Sequence, residues 1–347
     1  MAPLHEPAPD DFGDDLRGNH VRRPYPPWQS GPVAEEERDG VKLTNLDQPL
    51  FDGAGATKRD LVDYLDALGE RVLGVLRDRP LTVLRVLRGQ KPFMQKNLPK
   101  YTPEWVERVS VWAESSHREV IYALCNDRRT LLWFANQRAI EYHPTLIPAG
   151  AVHPSFAVLD LDPPEGSGFG LAVSAAKLVR QVLDEAGLPS LVKTSGAKGL
   201  HVFTPVAAEA TVEEVAAATR AIAARAERLD GALATTAFIR EDREGKVFLD
   251  STRAGGATVV ATYSPRVRPG TPVSFPVPWD ELDRVTPADF TVHTAPALLG
   301  DADPWGELMP DPVPLPADLV EEGRAIPIAR VQAMHEGKRR ARAAREG

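Results

Sequence analysis

The run Phe156-Ala157-Val158-Leu159-Asp160-Leu161-Asp162-Pro163-Pro164 constrains this chain more than any other stretch. Four apolar residues without alternation predict a strand covered on both faces. Two prolines, which donate no ladder hydrogen bond, predict where it ends. Whatever fold forms must therefore carry Asp160 and Asp162 at the end of a buried strand. Standing two apart in extended backbone, they project from one face. Holding two carboxylates that close away from water costs on the order of several kcal/mol, or forces one to take a proton. A divalent cation removes the penalty. Magnesium and manganese take oxygen ligands and usually leave positions for substrate phosphates. The same tripeptide alone also fits a solvated strand end beside a loop.

The chain is 347 residues long, enough for one large domain or two smaller ones. Its 43% hydrophobic and 26% charged residues are ordinary for a globular protein. No apolar run is long enough to span a membrane, so no membrane partner is expected. The N-terminal prolines and acids do not read as a secretory leader. The single cysteine, Cys125, excludes an internal disulfide and fits a reducing cytoplasm. A net charge of -8 argues against a nucleic-acid partner at first sight. However, the acids concentrate in the first 40 positions and between Asp280 and Glu322, which leaves room for a local basic groove.

Along the chain, residues 1–40 read as an extended or disordered arm. A short strand is expected at 41–45. Thr57 is a candidate N-cap for an amphipathic helix over 58–76. Strands follow at 81–87, 109–112, 120–124 and 130–135, and residues 136–143 lead toward the strand at Phe156. Next come a helix over 170–186 with Gly187 as its C-cap, a strand at 191–194, and an alanine-rich helix over 211–229. Phe238 and residues 247–250 suggest further strands, the second of which pairs through a turn at Gly255-Gly256 with a strand over 258–263. A helix is expected near 316–324, and residues 338–345 form a basic tail.

Two more features serve the same chemistry as the aspartate pair. Ser195-Gly196-Ala197-Lys198-Gly199-Leu200-His201 follows a strand directly. Its glycines would let backbone N–H groups approach a phosphate, and Lys198 would neutralise it. It is not a Walker A loop. Asp250 ends another strand, and a third carboxylate beside the first two would allow two cations to clamp the attacking and departing oxygens of a phosphoryl transfer. Taken singly, each has a plainer reading: a hairpin turn, a structural histidine at His201 or His143, a strand-end aspartate. Lys91-Pro92-Phe93-Met94-Gln95-Lys96-Asn97 is either a charged loop or a surface that stacks a nucleobase while lysines meet phosphates.

Asp160-Leu161-Asp162-Pro163, the Ser195–His201 loop and Lys246-Val247-Phe248-Leu249-Asp250, in that order, resemble the archaeo-eukaryotic primase superfamily. Within it the chain is similar to the polymerase domain of bacterial ligase D and its stand-alone relatives. It is most similar to the actinobacterial primase-polymerase associated with ligase C, Prim-PolC. Residues 79–82, 256–258, Tyr263-Ser264 and Arg266 extend the resemblance over about 41–300.

The resemblance implies an α/β (α+β) primase-polymerase fold, with central mixed or antiparallel sheets flanked by helices. The layout would be an arm over 1–40, a catalytic domain over 41–300 and a C-terminal extension over 301–347. Asp160, Asp162 and Asp250 would bind two Mn2+ or Mg2+ ions and carry catalysis. Ser195, Lys198, His201, His143, Arg243, Lys246 and Arg266 would contact a nucleoside triphosphate. Lys58, Arg85, Phe93, Met94 and Lys96 would contact DNA. Gln48 stands where ligase D relatives carry a second lysine for a 5'-phosphate, and Met94 replaces a second aromatic, so recognition of that phosphate is open. The implied activity is primer extension at short gaps or broken ends, with ribonucleotides favoured. Implied partners are gapped or broken double-stranded DNA, an ATP-dependent ligase of C or D type and the end-binding protein Ku, all in the nucleoid-associated cytoplasm. A replicative primase and a non-catalytic end-binding module that recruits a ligase are the rivals, and no fused ligase or nuclease domain is expected.

Overall fold

The computed structural model describes residues 36–113, 117–254 and 257–328, together with Met334. Most of the expected arm and the whole basic tail at 338–345 lie outside the described residues. Residues 36–40 depart from the arm: β1 (Glu36–Arg38) pairs with β2 (Val41–Leu43). Arg38 fastens this hairpin to the following helix through Asp63 at 2.6 Å and Asp66 at 3.0 Å.

Thr57 caps that helix, α1 (Lys58–Ala67), in a capping box with Asp60. The single helix expected over 58–76 is two. It breaks at Leu68 (φ -100°, ψ 14°) and resumes as α2 (Gly69–Leu76). The break lets Leu61 and Leu65 on one segment, and Val72 and Leu76 on the other, all reach the core.

One five-stranded sheet, β7 included, lies on this side of the molecule. It contains β3 (Leu81–Arg85), β4 (Phe93–Gln95), β5 (Arg108–Ala113) and β6 (Arg118–Ala123) in the order β4-β3-β6-β5, with β7 (Ala139–Pro144) also paired to β3. Between β6 and β7, residues 130–135 are not the expected strand. They belong to the helix α3 (Arg128–Asn136), which Asp127 caps by accepting from the Thr130 amide. Thr130 to Ala135 are buried all round, so the apolar run carries no helical period to read.

The other sheet has the order β11-β12-β8-β10-β9. At its centre is β8 (Phe156–Asp162), flanked by β10 (Leu200–Pro205) and β12 (Val247–Asp250). At the edges, β9 (Leu191–Thr194) pairs antiparallel with β10, and β11 (Ala234–Thr235) pairs parallel with β12, which makes the sheet mixed. Two long helices, α4 (Phe169–Glu185) and α5 (Val212–Leu229), bury alanines and valines beneath it. Small side chains let such helices lie close to the strands.

Two expectations fail between β12 and the C-terminus. Phe238 lies outside any strand. Residues 258–263 do not return beside β12; the Val259 and Ala261 amides donate to Pro144 and Tyr142 of β7 at 3.3 and 2.8 Å. That segment therefore ties the sheets together instead of closing a hairpin. Three short helices follow, α6 (Ala295–Leu299), α7 (Pro304–Glu307) and α8 (Ala317–Ala325). Trp305 meets Phe203 edge-on at 5.2 Å, and Arg225 of α5 pairs with Glu322 of α8 at 2.7 Å. Residues up to 325 thus share the core that runs from Val41 to Val320 across both sheets. Among the described residues no helix is long and apolar enough to cross a membrane.

Candidate active site

Strand register decides which side chains meet. Asp160 on β8 faces Asp250 of β12 on one side and His201 of β10 on the other, and His201 faces Lys193 of β9. Residues directly opposite one another share a face of a sheet. Asp250, Asp160, His201 and Lys193 consequently form a row across four strands, with Asp162 two residues along β8 on the same face.

Basic side chains answer these carboxylates. Arg253 bridges two of them, with Nη2 3.0 Å from Asp160 and Nε 3.3 Å from Asp250. Asp162 lies 3.1 Å from both Lys198 Nζ and Arg243 Nη1. The Arg243 guanidinium carbon lies over the Phe248 ring, 3.9 Å from its centre. Burial pushes the Asp160 carboxyl up, but His201 and Arg253 outweigh it and hold the group well below the usual carboxylate range. Asp250 goes the other way. Its burial, reinforced by the Asp160 charge and only partly offset by Arg253, raises it. Burial and Lys193 pull His201 down to about 4.

Among the described residues no three His, Cys, Asp or Glu side chains stand close enough to hold a cation as arranged. The donor set nevertheless suits one. Asp160 and Asp250 are hard oxygen donors set side by side by the strand register, with Asp162 on the same face, the donor type such a cation takes.

The loop between β9 and β10 is tighter than its sequence suggests. Ser195 Oγ accepts from the Ala197 and Gly199 amides at 3.2 and 3.1 Å, so two N–H groups expected to meet a phosphate turn inward. Its glycines answer a steric need. Gly196 has φ +68°, and a β-carbon there would lie 2.6 Å from Arg266 Cγ; one on Gly199 would lie 2.1 Å from the Leu161 carbonyl oxygen. Lys198 reaches outward to Glu165 at 2.6 Å as well as to Asp162.

A second cluster joins this loop to β7. Glu141, buried on β7, pairs with His143 at 2.9 Å and with Arg266 at 3.2 Å, and accepts from the Val267 amide at 2.8 Å. Arg266 donates in turn to the Ser195 carbonyl. Burial raises the Glu141 carboxyl, but Arg266 and His143 overcome it and hold it well below the ordinary range. The structure therefore gathers Ser195, His143 and Arg266 around Glu141, and Lys198 and Arg243 around Asp162. Lys246 sits apart, 3.6 Å from Glu244. Glu141, Lys193 and Arg253 were not singled out in the sequence. Their signals were weak: an acid two before His143, a lysine inside an apolar strand, an arginine three after Asp250.

The residues expected at DNA lie on the other sheet and on α1. Phe93 is half-buried on β4, Met94 beside it is 38% exposed, and Lys96 is half-buried. Arg85 is buried under this edge. It donates to the Gln137 carbonyl, Gln95 and Tyr101 at 2.8, 2.7 and 2.9 Å, and its guanidinium lies 5.8 Å from the Phe93 ring centre. It supports Phe93 from below and is not an exposed contact. Lys58 is buried too, donating to the Thr44 carbonyl at 2.5 Å and Asn136 at 2.6 Å, while its amide donates to the Gln48 carbonyl.

Burial, helped by Arg138, pulls Lys58 down from its ordinary 10.5 to about 8. The unfolded chain therefore holds this proton more tightly between those values, so the contribution of Lys58 to stability rises with pH there. Urea unfolding at a series of pH values is expected to show the stability of the wild type rising with pH relative to that of Lys58→Met. Equal slopes would mean that Lys58 keeps its ordinary proton affinity when folded.

With this geometry in view, comparison with known proteins is decisive. Residues 57–305 match the model of the LigD primase-polymerase domain. The chain belongs to that family. A LigD primase-polymerase domain is a nucleotidyltransferase, which gives the carboxylate row its chemical setting. The bifunctional non-homologous end joining protein LigD of Bacillus subtilis is 34% identical over 259 residues, covering 73% of this chain and 41% of that protein. The multifunctional non-homologous end joining DNA repair protein LigD of Mycobacterium tuberculosis (strain ATCC 25618 / H37Rv) is 35% identical over 267 residues, covering 72% of this chain and 34% of that protein. The chain thus spans less than half the length of these relatives. A solved polymerase domain of Mycobacterium tuberculosis ligase D, in complex with DNA, superposes with a TM-score of 0.72 at 32% identity, covering 79% of this chain and 98% of that one. The primase-polymerase fold expected from the three motifs is the fold observed.

Proposed function

We propose that this primase-polymerase domain extends a DNA primer strand at short gaps or broken ends, copying a template and favouring ribonucleotides. The observation that carries this reading is the register that sets Asp250 beside Asp160, with Asp162 on the same face. Asp160, Asp162 and Asp250 would hold two manganese or magnesium ions, which when bound supply polarisation of the α-phosphate and of the primer hydroxyl. Lys198 and Arg243 now neutralise Asp162 and are placed to pass their charge to a triphosphate once cations take over that task. His143 and Arg266, held as one unit by Glu141, would orient the nucleotide against the Ser195 loop. Met94, exposed beside Phe93, leaves that edge of β4 open to an unstacked template base.

The likeness to a ligase D polymerase domain solved with DNA supports the substrate. That the relatives are non-homologous end joining proteins supports broken ends, a partner ligase and Ku as the setting.

Single-nucleotide addition to a labelled duplex with a short gap tests the proposal, with Mn2+ and Mg2+ and with ribo- and deoxyribonucleotides compared. Templated addition, faster with ribonucleotides, is expected. Synthesis on template lacking any primer, at a rate matching the gapped substrate, would move the reading to a primase. Tight DNA binding without addition under either metal would move it to a recruiting module.

A further inference from the structure

His201 is 4% exposed, and both of its ring nitrogens are engaged inside the protein. Nε2 lies 3.3 Å from Asp160 Oδ1, and Nδ1 lies 2.9 Å from Lys193 Nζ. The resemblance implies a nucleotide contact at this residue; as arranged here, both nitrogens face protein groups.

Lys193 itself is 0% exposed. Its amine meets Ser274 Oγ at 2.5 Å besides His201, with the Phe203 ring centre at 5.6 Å. A methionine would fill that space without taking an amine out of water. The hydrogen bonds are therefore what Lys193 brings.

Their directions follow from chemistry. The Ser274 hydroxyl gives its hydrogen to the Thr194 carbonyl at 2.8 Å, so toward Lys193 it accepts. An ionised carboxylate accepts only, so the hydrogen between His201 and Asp160 sits on Nε2. The other nitrogen then offers its lone pair to a Lys193 N–H. Every bond runs one way, from Lys193 to His201 to Asp160.

We propose that Lys193 is a positioning residue for the nucleotidyl-transfer site: through His201 it fixes the ring in the Nε2–H tautomer and aims Asp160 at the catalytic cation. The inference rests on the function proposed above only for the cation's role. Partners one step behind a ligating group, the place of His201, usually change metal affinity or activity by roughly 10–100-fold when removed; Lys193, one step further back, is expected to act at or below the lower end of that range.

The test uses the full chain carrying 15N-histidine, with the His201 signals identified by their loss in His201→Gln. Long-range 1H–15N spectra are expected to show an Nε2–H ring in the wild type. In Lys193→Met the tautomers should mix, and Mn2+ titration followed by electron paramagnetic resonance should show affinity falling by up to roughly 10-fold, while circular dichroism reports an intact fold. An Nδ1–H or doubly protonated ring in the wild type overturns the proposal. So does a folded Lys193→Met protein with wild-type tautomer and affinity. Should Lys193→Met fail to fold, Ser274→Ala, which removes the acceptor that aims the amine, is expected to move both readouts the same way by a smaller factor; a folded Ser274→Ala protein with neither moved overturns it. A wild-type protein that adds no nucleotide, with tautomer and affinity in both proteins as expected, would instead refute the proposed function.

Discussion

Replacing Asp160 with alanine is expected to leave the protein folded and to reduce templated nucleotide addition by on the order of 10³-fold or more. The two halves of that result come from different features of the site. Asp160 is the centre of the row, with Asp250 on one side and His201 on the other, so no neighbouring carboxylate can occupy its position without breaking the register of β8. The fold survives because Arg253 keeps Asp250 at 3.3 Å, and because the Asp160 side chain retains 21% exposure, so water can replace it. Leaving His201 Nε2 without its acceptor costs about 1–3 kcal/mol. The Asp250 carboxyl should fall toward its ordinary range once the Asp160 charge is gone. Primer extension in Mn2+ alongside thermal melting decides it. Full extension by a folded Asp160→Ala protein would remove the carboxylate row from catalysis.

How much of this was legible beforehand differs from element to element. β8 could be read because a strand covered on both faces leaves an unbroken apolar run, and its aspartates stand out against it. The pairing could not. Nothing in Lys246–Asp250 says that Asp250 lies opposite Asp160 and not two residues along; long-range register sets that. α3 was misread for a related reason, since a helix buried all round and a buried strand both look like unbroken apolar sequence. Residues 258–263 read as a hairpin partner because they follow the pair Gly255-Gly256, which lies outside the described residues, yet the Val259 and Ala261 amides found acceptors on β7. Lys193 and Glu141 were hidden by their surroundings. A charged residue inside an apolar strand has no local mark telling an internal hydrogen-bond donor from a surface side chain, and only the strand opposite reveals it. The Ser195–His201 loop was recognised, but for phosphate-binding amides, whereas two of those amides serve Ser195 and its glycines serve close packing.

That packing makes Gly199→Ala the second large expected effect, acting through the backbone and not through charge. A β-carbon on Gly199 would stand 2.1 Å from the Leu161 carbonyl oxygen and 3.4 Å from Pro163 Cδ. Neither is the far end of a flexible side chain. Relief requires β10 to move away from β8 at the place where Leu200 pairs with Leu161 and His201 with Asp160. Overpacking of this kind costs about 3 kcal/mol, or more where backbone must shift. The displaced strand also carries His201 away from Asp160, so activity should fall even in the fraction that stays folded. Gly74 provides the opposite sign. It lies inside α2 with nothing within 4 Å of a β-carbon, so Gly74→Ala should gain up to about 1 kcal/mol from helix propensity and leave nucleotide addition unchanged. Urea midpoints for the three proteins would order them Gly74→Ala, wild type, Gly199→Ala. A Gly199→Ala protein as stable and active as the wild type would mean that β8 and β10 are not held as tightly as their register implies.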